Sequence, residues 1–289
     1  AGVKRVTGLV SPESSEWRIA MDSVEVEGGA LAAWSSGSGE PVLLIHGAVV
    51  ADAFTGMTGL PELSGYRFLG YRRRGYGDSA PVVESSIEAY ARDALAVLDY
   101  YGIERAHVVA HSFGGRIGLE VCRQAPERVQ TFISLEGAGP TDIVVPSAAD
   151  FMASAGAAGA AISRGDQKGA TELLLTAISG EGWREDVDQV LDEGWFDQAV
   201  ADIITVFTHD LPSASTLTRA DVEGAMMPSL VVIGGDSVAY FRETSEAVAA
   251  ALPNSEVVII EGGNHLLQMT GPGAVVAPLA AFLQRHSMS

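Results

Sequence analysis

Apolar and polar positions along the chain fall into short strands and longer helices that alternate. Trp17 to Met21, Ser23 to Glu27 and Ala30 to Trp34 read as a meander of antiparallel strands, with Gly28-Gly29 at a hairpin turn. Pro41-Val42-Leu43-Leu44-Ile45-His46 is a continuous apolar run, as expected of a parallel strand buried on both faces. Tyr66 to Tyr71 is the next strand. Ser85-Ser86-Ile87-Glu88 reads as a capping box opening a helix to about Tyr101, with Ile87, Tyr90, Ala94, Leu98 and Tyr101 as its apolar stripe and Gly102 as its stop. The strand Ala106 to Ala110 precedes a helix from Phe113 to Ala125 that carries Ile117, Leu119, Val121 and Cys122, and Val129 to Leu135 is a further strand.

From residue 141 to 225 the alternation breaks. This stretch is Ala-rich and predicts helices near 147–163, 168–179, 184–193 and 196–209, with no strand pattern. Strands and helices then resume as Pro228 to Ile233, 241–252, Glu256 to Ile260, and a last helix from about Gly273 to Arg285. Repeated strand–helix units imply an α/β fold, a mostly parallel doubly wound sheet with helices on both faces. The helical stretch is then an inserted cap, giving core segments 1–138 and 228–289 around a cap at 139–227. Trp183, Trp195, Phe196 and Phe207 read as the cap's own core.

Bulk composition narrows the function classes. The chain has 289 residues, 47% of them hydrophobic, enough for one large α/β domain. A net charge of -19 repels nucleic acid and anionic membranes, so neither is an expected partner. The single cysteine, Cys122, excludes an internal disulfide and a cysteine-rich zinc site. No apolar leader or membrane-length run is visible, which leads us to expect a cytoplasmic monomer or homodimer acting on a small molecule. No G-x-G-x-x-G spacing, P-loop or H-E-x-x-H is present, so neither cofactor nor metal is expected.

The chemistry centres on Ala110-His111-Ser112-Phe113-Gly114. A strand that becomes a helix within one residue leaves no room for side chains two positions either side of the apex. Ala110 and Gly114 must therefore be small, and Ser112 is forced into a strained backbone with its hydroxyl exposed. This pentapeptide resembles the nucleophile elbow, G-x-S-x-G, of the α/β-hydrolase superfamily in its serine-nucleophile, capped branch, with Ala110 in place of the first glycine. Relatives that open epoxides or displace halide carry an aspartate at that position, which argues against both activities here.

A serine hydroxyl is a poor nucleophile and needs a base, a carboxylate to orient that base, and N–H donors for the oxyanion. The resemblance implies the chain order Ser, acid, His. Gly262-Gly263-Asn264-His265, after the last strand, matches the family's Gly-Gly-x-His turn and makes His265 the candidate base. Of the other histidines, His46 shapes a turn, His107 is in a strand, His111 precedes the nucleophile, His209 is in the cap and His286 is in the tail. The resemblance puts the oxyanion donors at the backbone N–H groups of Ala48 and Phe113. Arg74-Gly75-Tyr76-Gly77-Asp78-Ser79 is similar to the family's R-G-x-G-x-S loop, with Arg72 where an aspartate is usual.

The acid has two candidates. The family pattern P-x-L-V-V-x-G-x-x-D aligns with Pro228 onward but places Ser237 at the acid position, with Asp236 one residue early and facing the other way. Other members take the acid from the end of the preceding strand, where Glu136 stands. Glu136 is preferred, with Asp236 as the alternative. Val49, His111, Trp183 and Trp195 are candidate substrate contacts.

The resemblance implies a serine hydrolase cleaving an ester, lactone or similar acyl bond of a largely apolar molecule through an acyl-enzyme. The same constellation supports a cofactor-free carbon–carbon hydrolase, lyase or cyclase on a specialised metabolite, and a non-catalytic ligand-binding protein is a third reading.

Overall fold

The structure, a computed structural model, describes residues 4–6 and 20–288. Its strands are β1 (Lys4–Val6), β2 (Asp22–Val26), β3 (Gly29–Gly37), β4 (Glu40–Ile45), β5 (Tyr66–Tyr71), β6 (Ala106–His111), β7 (Val129–Leu135), β8 (Ser229–Gly234) and β9 (Ser255–Ile260). Among the described residues they form one nine-stranded sheet in the order β1-β9-β8-β7-β6-β4-β5-β3-β2. Pairing is parallel from β1 through β5 in that order, and antiparallel where β3 joins β5 and β2.

The apolar runs explain why both faces of this sheet are covered. Successive residues of a strand point to opposite faces. Leu43, Ile45, Val108, Ala110, Val231 and Ile233 pack into one core layer. Val42, Leu44, Val109, Leu230 and Val232 pack into the other.

Helices α1 (Thr55–Thr58), α2 (Ile87–Tyr100) and α3 (Phe113–Gln124) follow β4, β5 and β6. The first layer is completed by Ile87, Tyr90, Ala94 and Leu98 of α2 and Ile117 and Val121 of α3. Ser86 caps α2 by accepting from the Ala89 N–H at 3.1 Å. The expected capping box does not form, because the helix starts one residue later than that motif requires. Glu88 instead accepts from the N–H and hydroxyl of Thr216.

Between β7 and β8 lie α4 (Ala148–Ser163), α5 (Gln167–Ser179), α6 (Trp183–Asp188), α7 (Trp195–Thr205), a π-helical turn Val206–Asp210, and α8 (Arg219–Glu223). This stretch does not pack as one unit. Residues from α4 to the π-turn form a third cluster with Val49, Tyr76, Phe241 and Leu266, whereas Leu217 and Val222 join the layer of α2 and α3. Helices α9 (Ala239–Ala251), α10 (Leu267–Thr270) and α11 (Pro272–Arg285) complete the chain, α11 supplying Val275, Val276, Leu279 and Phe282 to the second layer.

Most predicted elements agree with these bounds to within a residue or two. Of the expected first strand, Trp17 to Ile19 lie outside the described residues, and Ala20 and Met21 are not in a strand. The short elements β1, α1, α8 and α10 are not predicted, since three to five residues carry no readable period. Among the described residues no helix is long and apolar enough to cross a membrane.

Candidate active site

Three non-glycine residues among those described have positive φ: Val49 at 73°, Ser112 at 51° and Glu136 at 46°. Such conformations cost about 1–3 kcal/mol each and persist only where the surrounding packing imposes them. All three follow closely on the C-terminal ends of the parallel strands β4, β6 and β7, the edge where open α/β sheets bind ligands.

Ser112 sits at the junction of β6 and α3, with φ 51° and ψ -125°. Its N–H donates to the Leu135 carbonyl at 3.2 Å, and its own carbonyl accepts from Gly115 and Ala138. Close backbone approach dictates the small neighbours. A Cβ on Gly114 would collide with the Ile45 carbonyl oxygen, and one on Gly115 with the Gly137 Cα. Ala110 is accommodated because Gly118 lies opposite, where an added Cβ would stand 3.0 Å from that of Ala110. Gly115→Ala is expected to destabilise the fold by about 1–3 kcal/mol through overpacking. Gly156→Ala, in the exposed face of α4 with open space around it, should stabilise by about 0.5–1 kcal/mol. Urea midpoints of the two variants test this, and a Gly115→Ala midpoint at or above wild type contradicts the packing argument.

His265 lies in the loop after β9, and its ring is completely buried. Its Nε2 is 2.8 Å from the Ser112 hydroxyl oxygen and its Nδ1 is 2.7 Å from Glu136 Oε2. A carboxylate only accepts, so Nδ1 carries the proton and Nε2 presents its lone pair to the serine O–H. Glu136 is buried, and its other oxygen accepts from the Gly234 N–H at 2.7 Å. Both carboxylate oxygens are thus satisfied away from water, as a buried charge requires. Phe241 of α9 stacks on the imidazole with ring centroids 3.4 Å apart and planes within 15°, fixing its tilt.

Asp236 stands apart from this group. It is exposed, and its backbone N–H donates to the Gly263 carbonyl at 2.9 Å. Ser237, at the position where the family pattern places an aspartate, is buried, and among the described residues its hydroxyl has no hydrogen-bond partner.

The His46-Gly47-Ala48 turn lies directly against the nucleophile, for a Cβ on Gly47 would stand 2.8 Å from that of Ser112. His46 donates from Nδ1 to the Gly47 carbonyl at 2.7 Å and accepts from the Arg73 N–H at Nε2. Burial first, and then the Arg73 charge, hold its pKa well below the ordinary histidine value. It is therefore a neutral shaping residue. Phe113 opens α3, so its N–H is one of those that helix geometry leaves unpaired, at the positive end of the helix dipole. Among the described residues, no hydrogen bond is made by the N–H of Ala48 or of Phe113.

The four candidate substrate contacts occupy different surroundings. His111 is buried, and its Nε2–H donates to the His265 carbonyl at 2.9 Å. Burial and the neighbouring His265 push its pKa down to about 3. Val49 is buried in the third apolar cluster, among residues of α4 to the π-turn. Trp183 and Trp195 meet at 6.1 Å beside Phe196, and their N–H groups donate to Thr176 and Asp188. Arg73, Asp210 and Phe241 border the site yet carry no motif, and Tyr76 fills only the variable position of the Arg74–Ser79 loop. The run Arg72-Arg73-Arg74 was the available signal, since three adjacent cations after a buried strand demand partners.

The chain belongs to the alpha/beta hydrolase fold family, whose model matches residues 40–272. It is 27% identical over 270 residues to the dihydrolipoyllysine-residue acetyltransferase component of the acetoin cleaving system of Pseudomonas putida, covering 90% of this chain and 68% of that one. It is 22% identical over 260 residues to the esterase YbfF of Escherichia coli strain K12, covering 84% of this chain and 92% of that one. Two solved structures share the fold. The carboxylesterase CesB of Bacillus subtilis aligns at a TM-score of 0.71 with 19% identity, over 93% of this chain and 92% of its own. An N-acyl homoserine lactone degrading enzyme aligns at 0.71 with 23% identity, over 90% of this chain and 100% of its own.

Proposed function

We propose that this hydrolase-family chain is a serine hydrolase that cleaves an ester, lactone or similar acyl bond of a small, largely apolar molecule. The observation that carries the reading is the continuous relay from the Ser112 hydroxyl through His265 to Glu136, with spacings of 2.8 and 2.7 Å. Family membership and the esterase among its relatives support it.

In this reading the Ser112 Oγ attacks the acyl carbon as its proton passes to His265 Nε2. The imidazolium so formed is stabilised by the Glu136 carboxylate on Nδ1 and by the face of Phe241. The carbonyl oxygen becomes an oxyanion between the N–H groups of Ala48 and Phe113. Collapse breaks the bond to the leaving oxygen, which takes the proton from His265. Water then attacks the acyl-enzyme, giving its proton to His265, and Ser112 is regenerated as the carboxylic acid departs. The cap helices α4 to α7 cover the site and set which acyl and alcohol portions fit.

A fluorophosphonate probe tests the reading. Its phosphorus bonds to the serine oxygen and fluoride leaves, so the expected result is a mass adduct on the peptide containing Ser112 that is absent from Ser112→Ala. Folded protein that takes no label would contradict acyl-transfer chemistry and leave the ligand-binding alternative.

A further inference from the structure

Arg73 follows β5 and is only 1% exposed, an unusual setting for a guanidinium. It forks onto Asp210 of the π-turn, Nη1 to Oδ1 at 2.9 Å and Nη2 to Oδ2 at 2.8 Å. The same Nη2 donates to the Gly47 carbonyl oxygen at 3.0 Å. That oxygen also accepts from His46 Nδ1, whose ring is in turn held by the Arg73 N–H. Tyr76 donates to Asp210 Oδ2 at 2.5 Å. The guanidinium lies over the rings of Tyr76 and Phe113, with centroids at 4.6 and 4.8 Å.

The Gly47 carbonyl and the Ala48 N–H belong to one peptide unit, and no described peptide bond is cis. In a trans peptide the N–H points away from the oxygen. Fixing the oxygen with donors on one side therefore aims the N–H to the other. A cationic donor on the oxygen draws electron density toward it and leaves the N–H a stronger donor. Gly47 abuts Ser112, so this peptide borders the place where charge develops on an acyl group.

We propose that Arg73 is a positioning residue for the oxyanion site: anchored by Asp210 of the cap, it orients and polarises the Gly47–Ala48 peptide. The inference rests on the acyl-transfer reading and deepens it. Burial is the largest influence and opposes the Arg73 charge, but the Asp210 carboxylate together with Tyr76 and Tyr90 more than offsets it and holds the guanidinium above its usual pKa. The cation is therefore present throughout the working pH range. A polarised donor is worth more to an oxyanion than to a neutral carbonyl, so its contribution appears in kcat and leaves KM unchanged. A plain structural strut between cap and core predicts no such split.

The double variant Arg73→Gln, Asp210→Asn removes both charges together and strands neither. Wild type and variant are compared in 4-nitrophenyl acetate turnover, in thermal midpoint, and in inhibition by phenylboronic acid, whose boron becomes tetrahedral and anionic on bonding the Ser112 oxygen. For a folded variant the expected result is a loss of about tenfold or more in kcat, with KM within about two-fold and the boronic acid Ki raised in step with the kcat loss. A folded variant with kcat and Ki within about two-fold of wild type overturns the proposal. Should the double variant not fold, Arg73→Lys takes its place, because lysine keeps a charge opposite Asp210 but cannot fork to the Gly47 oxygen; the same split is expected and the same null result overturns. Wild-type protein that neither turns over the ester nor takes a fluorophosphonate label overturns the acyl-transfer reading, and this inference with it. Active wild type with an unaffected variant overturns this inference alone.

Discussion

Exchanging Glu136 for glutamine lowers kcat about 10³- to 10⁴-fold, while Asp236→Asn leaves it within about two-fold. The asymmetry follows from proton placement. Glu136 Oε2 can only accept, which keeps the proton on His265 Nδ1 and the lone pair on Nε2 facing Ser112. A glutamine amide can present its N–H₂ to Nδ1 instead. The imidazole then carries its proton on Nε2 and can no longer take one from the serine. The charge that steadies the imidazolium is lost at the same time. Asp236 is exposed, and its change touches neither effect. Steady-state kinetics on 4-nitrophenyl acetate decide the matter: a large loss in Asp236→Asn with Glu136→Gln nearly unaffected would reverse the assignment.

The second large effect concerns acid. His46 and His111 are buried and neutral, with pKa values pushed below the ordinary histidine value, that of His111 to about 3. The unfolded chain protonates both near pH 6.5, so below that pH it binds protons that the folded chain refuses. Stability is therefore complete above about pH 6.5 and falls as pH drops, by about 1.4 kcal/mol per pH unit for each such imidazole. His107, lowered chiefly by burial, acts in the same direction. Asp93 and Asp202, raised chiefly by burial, act in the opposite sense from a carboxylate reference of 3.8. Urea midpoints measured between pH 6.5 and 5.0 should decline steeply. His111→Gln, which keeps an N–H donor for the His265 carbonyl, should flatten the slope. A midpoint independent of pH over that range would show that these rings are protonated in the folded state.

The parallel strands were legible because burial on both faces writes itself as unbroken apolar runs, as in Val42 to Ile45 and Leu230 to Ile233. The Ser112 turn was legible for a related reason, since crowding at a strand-to-helix junction restricts residue size at Ala110 and Gly114. Choosing the carboxylate was harder. Glu136 and Asp236 follow adjacent strands, and what separates them is backbone direction, with Glu136 at a positive φ of 46° that no residue type announces. The Arg73–Asp210 pair was invisible because 137 positions separate its members and neither belongs to a spacing pattern. Phe241 was hidden similarly, as one aromatic on a helix whose stacking partner comes from another loop.

The π-turn that ends α7 ties the segment between β7 and β8 to the sheet. Its Asp210 is the counter-ion of a guanidinium sealed from water, and parting the two would leave a naked cation in an apolar shell. The π-turn is therefore riveted to the residues that follow β5, and an exchange of the segment between β7 and β8 for a foreign one must bring a carboxylate to the same spot.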